Sequence, residues 1–523
     1  MKFLLTLFTL LSPVLAYKIL LFNPGFSKSH AMFSRRLSES LASMGHRVVV
    51  WSTQDNRVVP HKPPKNANVS EHFIPCDMVK MVGIFANFTF VDPPFVEFDE
   101  LWNIFMQEWV KCCNLQLDSY RSLIDQLKEE SFHLAIGQVF DGCPAIILNE
   151  IGLEKAVWVS AGTYIFDHVA SMMGYVTTPS YIPNVISSYT DELSFWARVV
   201  NSALWTFPSL NAMHISSSNW YKERLIFQSP PFDDRPDLID SMQQIFFSNL
   251  INGQRLLDFP RPLPYGIPFL GEMSSPTSQS TPETGLEAKF QQIVSKGKGT
   301  IVFAFGTIAK TEDMPDAMKL SFLEALANFS DYTVIWRFEG KIKEASYYPH
   351  IHIVSWLPQR ALLKHPKTRL FITHGGYNSL VESTRAGVPM ILMPLFADQQ
   401  GNTFRAVRLG FGLSLNKAKI TTETVRSTVA EILGKPKYAQ RAKAVAAMYD
   451  DKPASSEQIL EKTLRMIVRH PKWFPKLRAA QKLNLFQLYC IDVLLFWVTL
   501  LVLLFILLVK LTRSAMRSML KRS

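Results

Sequence analysis

Residues Phe371 to Gln399 read FITHGGYNSLVESTRAGVPMILMPLFADQ, and few folds accommodate such a stretch. Phe371-Ile372-Thr373 has the character of a buried strand end. Gly375 and Gly376 permit a tight turn and a close backbone approach to a ligand. The spacing predicts a helix over Tyr377 to Arg385, with Leu380, Val381 and Thr384 on one side and Gly387 as its stop. Val388 to Pro394 predicts the next strand. Strand, turn, helix and strand in this order form a parallel unit.

The site residues of this unit follow from its geometry. Unpaired N–H groups at a helix start face an anion, so a pyrophosphate belongs there. His374, Asn378 and Ser379 add side-chain donors, and Gly376 offers backbone. Glu382, one turn further in, can accept from ribose hydroxyls, and Asp398 and Gln399 can grip sugar hydroxyls. A double-glycine turn alone is common in α/β proteins. The register of all these groups is what points to a nucleotide carrying a sugar.

The chain has 523 residues, 48% of them hydrophobic and 19% charged, which predicts more than one domain and excludes a disordered polymer. Both ends are apolar. Met1 to Ala16, with Lys2 ahead of its apolar run and small residues at Val14 and Ala16, predicts a secretory signal over 1–16. Val493 to Val509 carries no charge. Residues 489–511 are predicted to span a bilayer once. The basic tail, 512–523, with Lys510 just ahead of it, carries Arg513, Arg517, Lys521 and Arg522; it is expected in the cytosol, with the body lumenal. These five cations account for much of the formal net charge of +11, so the basic balance does not call for nucleic acid. Sequons at Asn68, Asn87 and Asn328 fit a lumenal body. Of five cysteines, Cys76, Cys112, Cys113 and Cys143 lie in that body, with no spacing that dictates their pairing, and Cys490 lies at the membrane edge.

Short apolar strands alternate with helices through two series, which predicts parallel sheets covered on both faces. Strands are predicted at Tyr17–Phe22, His46–Thr53, Phe132–Phe140 and Lys155–Ala161 in the first. Gly299–Phe305, Thr333–Arg337, His352–Trp356, Arg369–Thr373 and Pro389–Pro394 make up the second. Residues 54–110 show weak periodicity. Residues 180–260 read as helical and aromatic, including Phe195, Trp196 and Trp205; the region suits an apolar acceptor site or the membrane, and core packing is the commoner role for any one of these aromatics. Residues 274–285 form a linker between a domain at 17–273 and another at 286–475. Outside the opening stretch, Gly306 and Thr307 make a strand-to-turn corner open to a phosphate. Arg337 ends a strand and can pair with phosphate, Trp356 can stack on uracil, and Gln359 can bond uracil or ribose.

Together these residues closely resemble the signature of the UDP-glycosyltransferases, specifically the animal microsomal enzymes related to UDP-glucuronosyltransferases. The resemblance runs from the first strand to the membrane anchor. It implies a GT-B fold of two doubly wound Rossmann-like domains, with the C-terminal stretch, Tyr438 to Pro475, crossing back onto the first. It implies UDP-glucuronic acid or UDP-glucose as co-substrate, a small lipophilic acceptor, and residence in the endoplasmic reticulum membrane, with homo- or hetero-oligomers possible. The ending Met-Leu-Lys-Arg-Ser departs from the dilysine retrieval signal common in relatives. No cofactor or metal is expected, since no Asp-x-Asp occurs in the chain; Arg337, His374 and helix N-termini would then meet the diphosphate charge.

In the family, a histidine after the first strand is the general base of an inverting transfer, and here it is His30. Relatives orient it with an aspartate at the end of the strand matching Phe132 to Gln138, where this chain has Gln138. Gln138 can orient a ring but cannot balance its charge. Asp141 is the nearest acid and is expected to take that role. The rival expectation is a non-catalytic partner subunit that binds a UDP-sugar or an apolar ligand. A receptor ectodomain would explain the anchor but not the donor motif.

Overall fold

A computed structural model describes residues 16–57, 59–79, 83, 89–90, 95–139, 142–162, 169–170, 173–175, 177–185, 187–205, 244–271, 273, 286–306, 309–451, 454–481, 483 and 485–520. Residues 1–15 of the expected signal segment, the expected linker 274–285 and the candidates Asp141 and Thr307 lie outside the described residues.

Two parallel six-stranded sheets carry the structure. The first contains β1 (Lys18–Gly25), β2 (Arg47–Gln54), β3 (Val69–Pro75), β4 (Leu134–Gln138), β5 (Ala156–Ser160) and β6 (Phe246–Ile251), in the spatial order β3-β2-β1-β4-β5-β6. The second contains β7 (Gly299–Ala304), β8 (Tyr332–Arg337), β9 (Ile351–Val354), β10 (Thr368–Thr373), β11 (Met390–Leu392) and β12 (Gly412–Ser414), in the order β12-β11-β10-β7-β8-β9. All pairings between these strands are parallel. Each predicted strand is present, within a few residues. Sequence reading missed β3, β6 and β12. β6 lies in the stretch read as helical, and its whole run, Phe246–Ile251, is buried, so it has no alternation to betray it.

Both faces of each sheet are covered, which is why the strands are nearly uninterrupted runs of Val, Ile and Leu. In the first half, one face packs on the helices Phe95–Ser119, Arg121–Glu129 and Cys143–Glu150. The other packs on the helix Lys28–Ser43 and on Ser456–Arg469 from the far end of the chain. Leu460, Leu464 and Ile467 recur on one face of that last helix and are fully buried against Ile19, Leu21 and Val48. Beside them, Tyr17 donates its N–H to Nδ1 of buried His46 at 3.2 Å. The His46 proton is therefore on Nε2, which meets Glu461 Oε2 at 2.7 Å. The expected return of the C-terminal stretch to the first half is thus present.

Disulfides join Cys76 to Cys112 and Cys113 to Cys143. Two adjacent cysteines of one helix therefore tie down the exit of β3 and the start of the helix that follows β4. The helix Ile491–Leu520 runs well past the predicted span and includes Lys510, Arg513 and Arg517. Within it, Ile491–Arg517 is long and apolar enough to cross a membrane and is buried nowhere inside the protein.

Leu464→Ala removes a side chain with no exposure and is expected to cost about 2–5 kcal/mol of stability. A lowered thermal midpoint, with new proteolysis near residues 450–456, is the measurement that checks it.

Candidate functional site

In each sheet the strand order reverses once, between β1 and β4 in the first and between β7 and β10 in the second. Successive connections leave in opposite directions at such a point, which opens a crevice beyond the carboxyl ends of the strands. Both crevices hold a histidine.

In the first half, β1 ends at Gly25 and Ser27 caps the next helix, accepting from the His30 N–H at 3.4 Å. His30 is thus held in the first turn, with its ring 4.4 Å from that of Phe26. Gln138 closes β4, is fully buried, and brings Oε1 to 2.5 Å from His30 Nδ1. Its Nε2 donates to Ser34 Oγ at 2.7 Å, so the amide is held at both ends. A carbonyl oxygen only accepts, so Nδ1 carries the ring proton and Nε2 keeps a lone pair. Burial drives the His30 pKa down to about 4, against the opposing effect of the Gln138 bond. The ring is neutral at ordinary pH.

At the second reversal, His374 follows β10 and Gly306 follows β7. A methyl on Gly306 would stand 2.6 Å from the His374 ring, and one on Gly376 would stand 2.5 Å from its Nε2. The imidazole is therefore clamped between two glycines, and Gly306 also has φ +74°. Gly375, at φ +81°, sits against Thr403 and the Gln399 carbonyl. Burial, with the Arg337 guanidinium, holds the His374 pKa at about 4. The helix Tyr377–Ala386 begins at Gly376 with no side-chain cap and ends at Gly387 with φ 64°. Its start is left to backbone donors, as an anion site requires.

Arg337 takes a different posture from the open fork predicted for it. It is 8% exposed; Nε donates to Ser355 O at 3.2 Å, Nη1 to Gly306 O, and Nη2 reaches Glu339 at 2.6 Å. It braces the ends of β7, β8 and β9 and acts on the crevice through its charge and through the Gly306 turn. Trp356, just beyond β9, is 66% exposed, as an open stacking surface needs. Gln359 donates to Glu382 Oε2 at 2.7 Å and to Ser379 Oγ at 3.2 Å, bringing three predicted residues together; Asn378 is exposed beside them. Asp398 accepts from Asn402 at 2.8 Å, and burial raises its pKa, with Asn402 and Arg405 opposing. Gln399 turns its carbonyl oxygen back onto the Leu395 and Phe396 N–H groups, at 2.9 and 3.2 Å, and so shapes the loop. Ala397 in that loop has φ 55°, an uncommon conformation for a residue with a Cβ.

The whole chain from residue 18 to 523 matches the family described as "UDP-glucoronosyl and UDP-glucosyl transferase". The chain belongs to that family. It is a UDP-glycosyltransferase. It is 36% identical over 456 residues to the Caenorhabditis elegans protein named "Putative UDP-glucuronosyltransferase ugt-60", covering 85% of this chain and 88% of that one. It is 27% identical to UDP-glucuronosyltransferase 1A9 of Mus musculus, over 71% of this chain and 68% of that one. Among solved structures, the glycosyltransferase of kitacinnamycin superposes with a TM-score of 0.57 at 16% identity, over 86% of this chain and 99% of its own. CalG4, the calicheamicin glycosyltransferase, does so at 0.56 and 15%, over 87% and 99%. These likenesses and the paired sheets make the fold GT-B.

Several residues that shape this glycosyltransferase's crevices were missed in the sequence. Ser34 had a signal, since it lies one turn after His30 on the same helix face. Glu339, Asn402 and Thr403 had none. Arg405 and Arg408 pair with Asp258 and Asp191 at 2.9 and 2.8 Å. Asp258 also binds Arg261 at 2.7 Å, and the pairs of Arg405 and Arg408 tie the second half to the first.

Gly376→Ala is expected to displace the His374 ring and weaken UDP binding at least about tenfold, a loss near 1.4 kcal/mol, read by calorimetric titration. Folded His30 and His374 take up protons only near pH 4, whereas unfolded histidines do so near 6.5. The unfolded chain then binds more protons in that window, so stability falls as pH drops from about 6.5 toward 4. Thermal midpoints across that range test it.

Proposed function

We propose that this protein transfers glucuronic acid or glucose from its UDP conjugate to a hydroxyl of a small lipophilic acceptor, with inversion and without a metal. The observation that carries the reading is the His30–Gln138 pair. The amide fixes the tautomer in which Nε2 is the proton acceptor, on a ring that burial keeps neutral. Nε2 takes the acceptor's hydroxyl proton as that oxygen attacks the anomeric carbon, and the bond to UDP breaks with its electron pair leaving on the diphosphate. The uncapped helix start at Gly376, the glycine turn and His374 receive the diphosphate. Trp356, Gln359 and Glu382 receive uridine, and Asp398 with Gln399 the sugar.

The proposed setting is the endoplasmic reticulum membrane, with the helix Ile491–Leu520 crossing once and the body lumenal. The two disulfides suit an oxidising compartment, and Asn68 and Asn328 of the sequons are exposed.

His30→Ala is expected to lower turnover about 10²–10⁴-fold with UDP affinity unchanged. A base with a pKa about 4 gives turnover that stays flat as pH falls from about 7.5 to 5.5. Gln138→Asp adds a charge that stabilises the imidazolium, so an acidic limb should appear nearer neutrality. EDTA should leave turnover unchanged. Gln138 is also the one residue that favours the rival partner-subunit reading, because an amide does not neutralise an imidazolium. Incubating the detergent-solubilised protein with both UDP-sugars and a panel of phenols separates the two. Measurable UDP binding with no conjugate from any donor would sink the catalytic reading.

A further inference from the structure

The helix Lys28–Ser43 places a hydroxyl at a buried position one turn after His30. Ser34 is 2% exposed, and its Oγ accepts from Gln138 Nε2 at 2.7 Å. The other end of the same amide, Oε1, lies 2.5 Å from His30 Nδ1. His30 and Ser34 thus grip the two ends of one side chain that comes from the end of β4. Gln138 is fully buried, so the protein supplies the partners at both ends.

An amide is not symmetric: its oxygen only accepts and its NH2 only donates. With Oε1 on Nδ1, the ring carries its proton on Nδ1. Turned over, the amide would set its NH2 on Nδ1, which must then be bare, and the ring proton would sit on Nε2. The two settings differ by a half-turn of the Gln138 amide and by the place of one proton. Only the first leaves Nε2 with the lone pair a base needs. A carboxylate at position 138 would pose no such choice, because both its oxygens accept.

A buried donor without an acceptor is costly, so the NH2 must find one. Ser34 Oγ is the acceptor that lets the NH2 face away from the ring. A helical serine can direct its own proton at the carbonyl one turn back, which leaves its oxygen free to accept. With a methyl group at position 34, the acceptor left within reach of the amide is the imidazole itself, and the amide turns over to meet it. We propose that Ser34 is the positioning residue of the His30 ring. It holds the Gln138 carbonyl on Nδ1 and so selects the tautomer whose Nε2 is bare. Its value for catalysis rests on the reading of His30 as the base, whereas the tautomer itself is measurable without any reaction.

The test uses the full-length protein in detergent, with ¹⁵N-labelled histidine, whose ring shifts distinguish a protonated from a bare nitrogen; His30→Asn assigns the His30 signals. The ring is expected to carry its proton on Nδ1 in the wild type and mainly on Nε2 in Ser34→Ala. With the change, kcat should fall about tenfold or more while UDP affinity holds within about twofold. Ser34→Cys, whose sulfur accepts weakly, should fall between. In a Gln138→Glu background, where both ends of the side chain accept, Ser34→Ala should change kcat by less than about twofold. A ring that keeps its proton on Nδ1 in Ser34→Ala, or that carries it on Nε2 in the wild type, overturns the proposal. An equal loss of kcat in both backgrounds, with a lowered thermal midpoint, overturns it in favour of a purely structural hydroxyl. Should the wild type form no conjugate from any donor, a proton that moves from Nδ1 to Nε2 in Ser34→Ala still upholds Ser34 as the positioning residue, and the transfer reading alone falls.

Discussion

Parallel pairing of β1 with β4, and of β7 with β10, is the constraint on which the molecule depends. Two strands that run side by side but belong to connections wound in opposite directions leave their carboxyl ends uncovered. The crevice follows from chain direction and from the right-handed hand of each crossover, whatever side chains line it. Each of the two sheets has one such reversal, and each reversal holds one neutral histidine. The first histidine has its tautomer set by an amide. The second is gripped by two glycines whose missing methyl groups are its binding space.

Electrostatics divide the labour between the two halves. In the second half, an uncapped helix start supplies partial positive charge without a titratable group, and Arg337 lends its field while its hydrogen bonds go to strand ends. This arrangement is preorganised: the hydrogen-bond donors are backbone groups fixed by strand and helix. In the first half, the cost of burial keeps His30 uncharged. Ion pairs from Arg405 to Asp258 and from Arg408 to Asp191 hold the two halves together, and the C-terminal helix locks onto the first sheet through Leu460, Leu464 and Ile467.

Much of this was legible from residue order. The signature helix was bounded correctly at Tyr377 and Gly387, because glycine at a left-handed helix end is a local requirement. The strands with clear apolar runs were found within a few residues. The missed strands show where local signals fail. β6 is buried throughout and sits among aromatics, and β12 is only Gly412–Ser414, so neither carries a period of its own. Gln359, Ser379 and Glu382 were grouped by chemistry, and hydrogen bonds join them in the structure. The inward turn of Arg337 was not legible, since its partners Ser355, Gly306 and Glu339 come from three strand ends.

The amino-acid order by itself determined the alternation of strand and helix, the turn glycines, the candidate histidines and the apolar C-terminal helix, because each depends on neighbours within one or two turns. It also showed that an amide stands where a carboxylate was expected. Only the tertiary structure decided what that amide does. Gln138 meets His30 across 108 positions of chain, and Arg405 meets Asp258 across 147. Contacts at such separations are set by how sheets close and helices dock, and no local pattern encodes them.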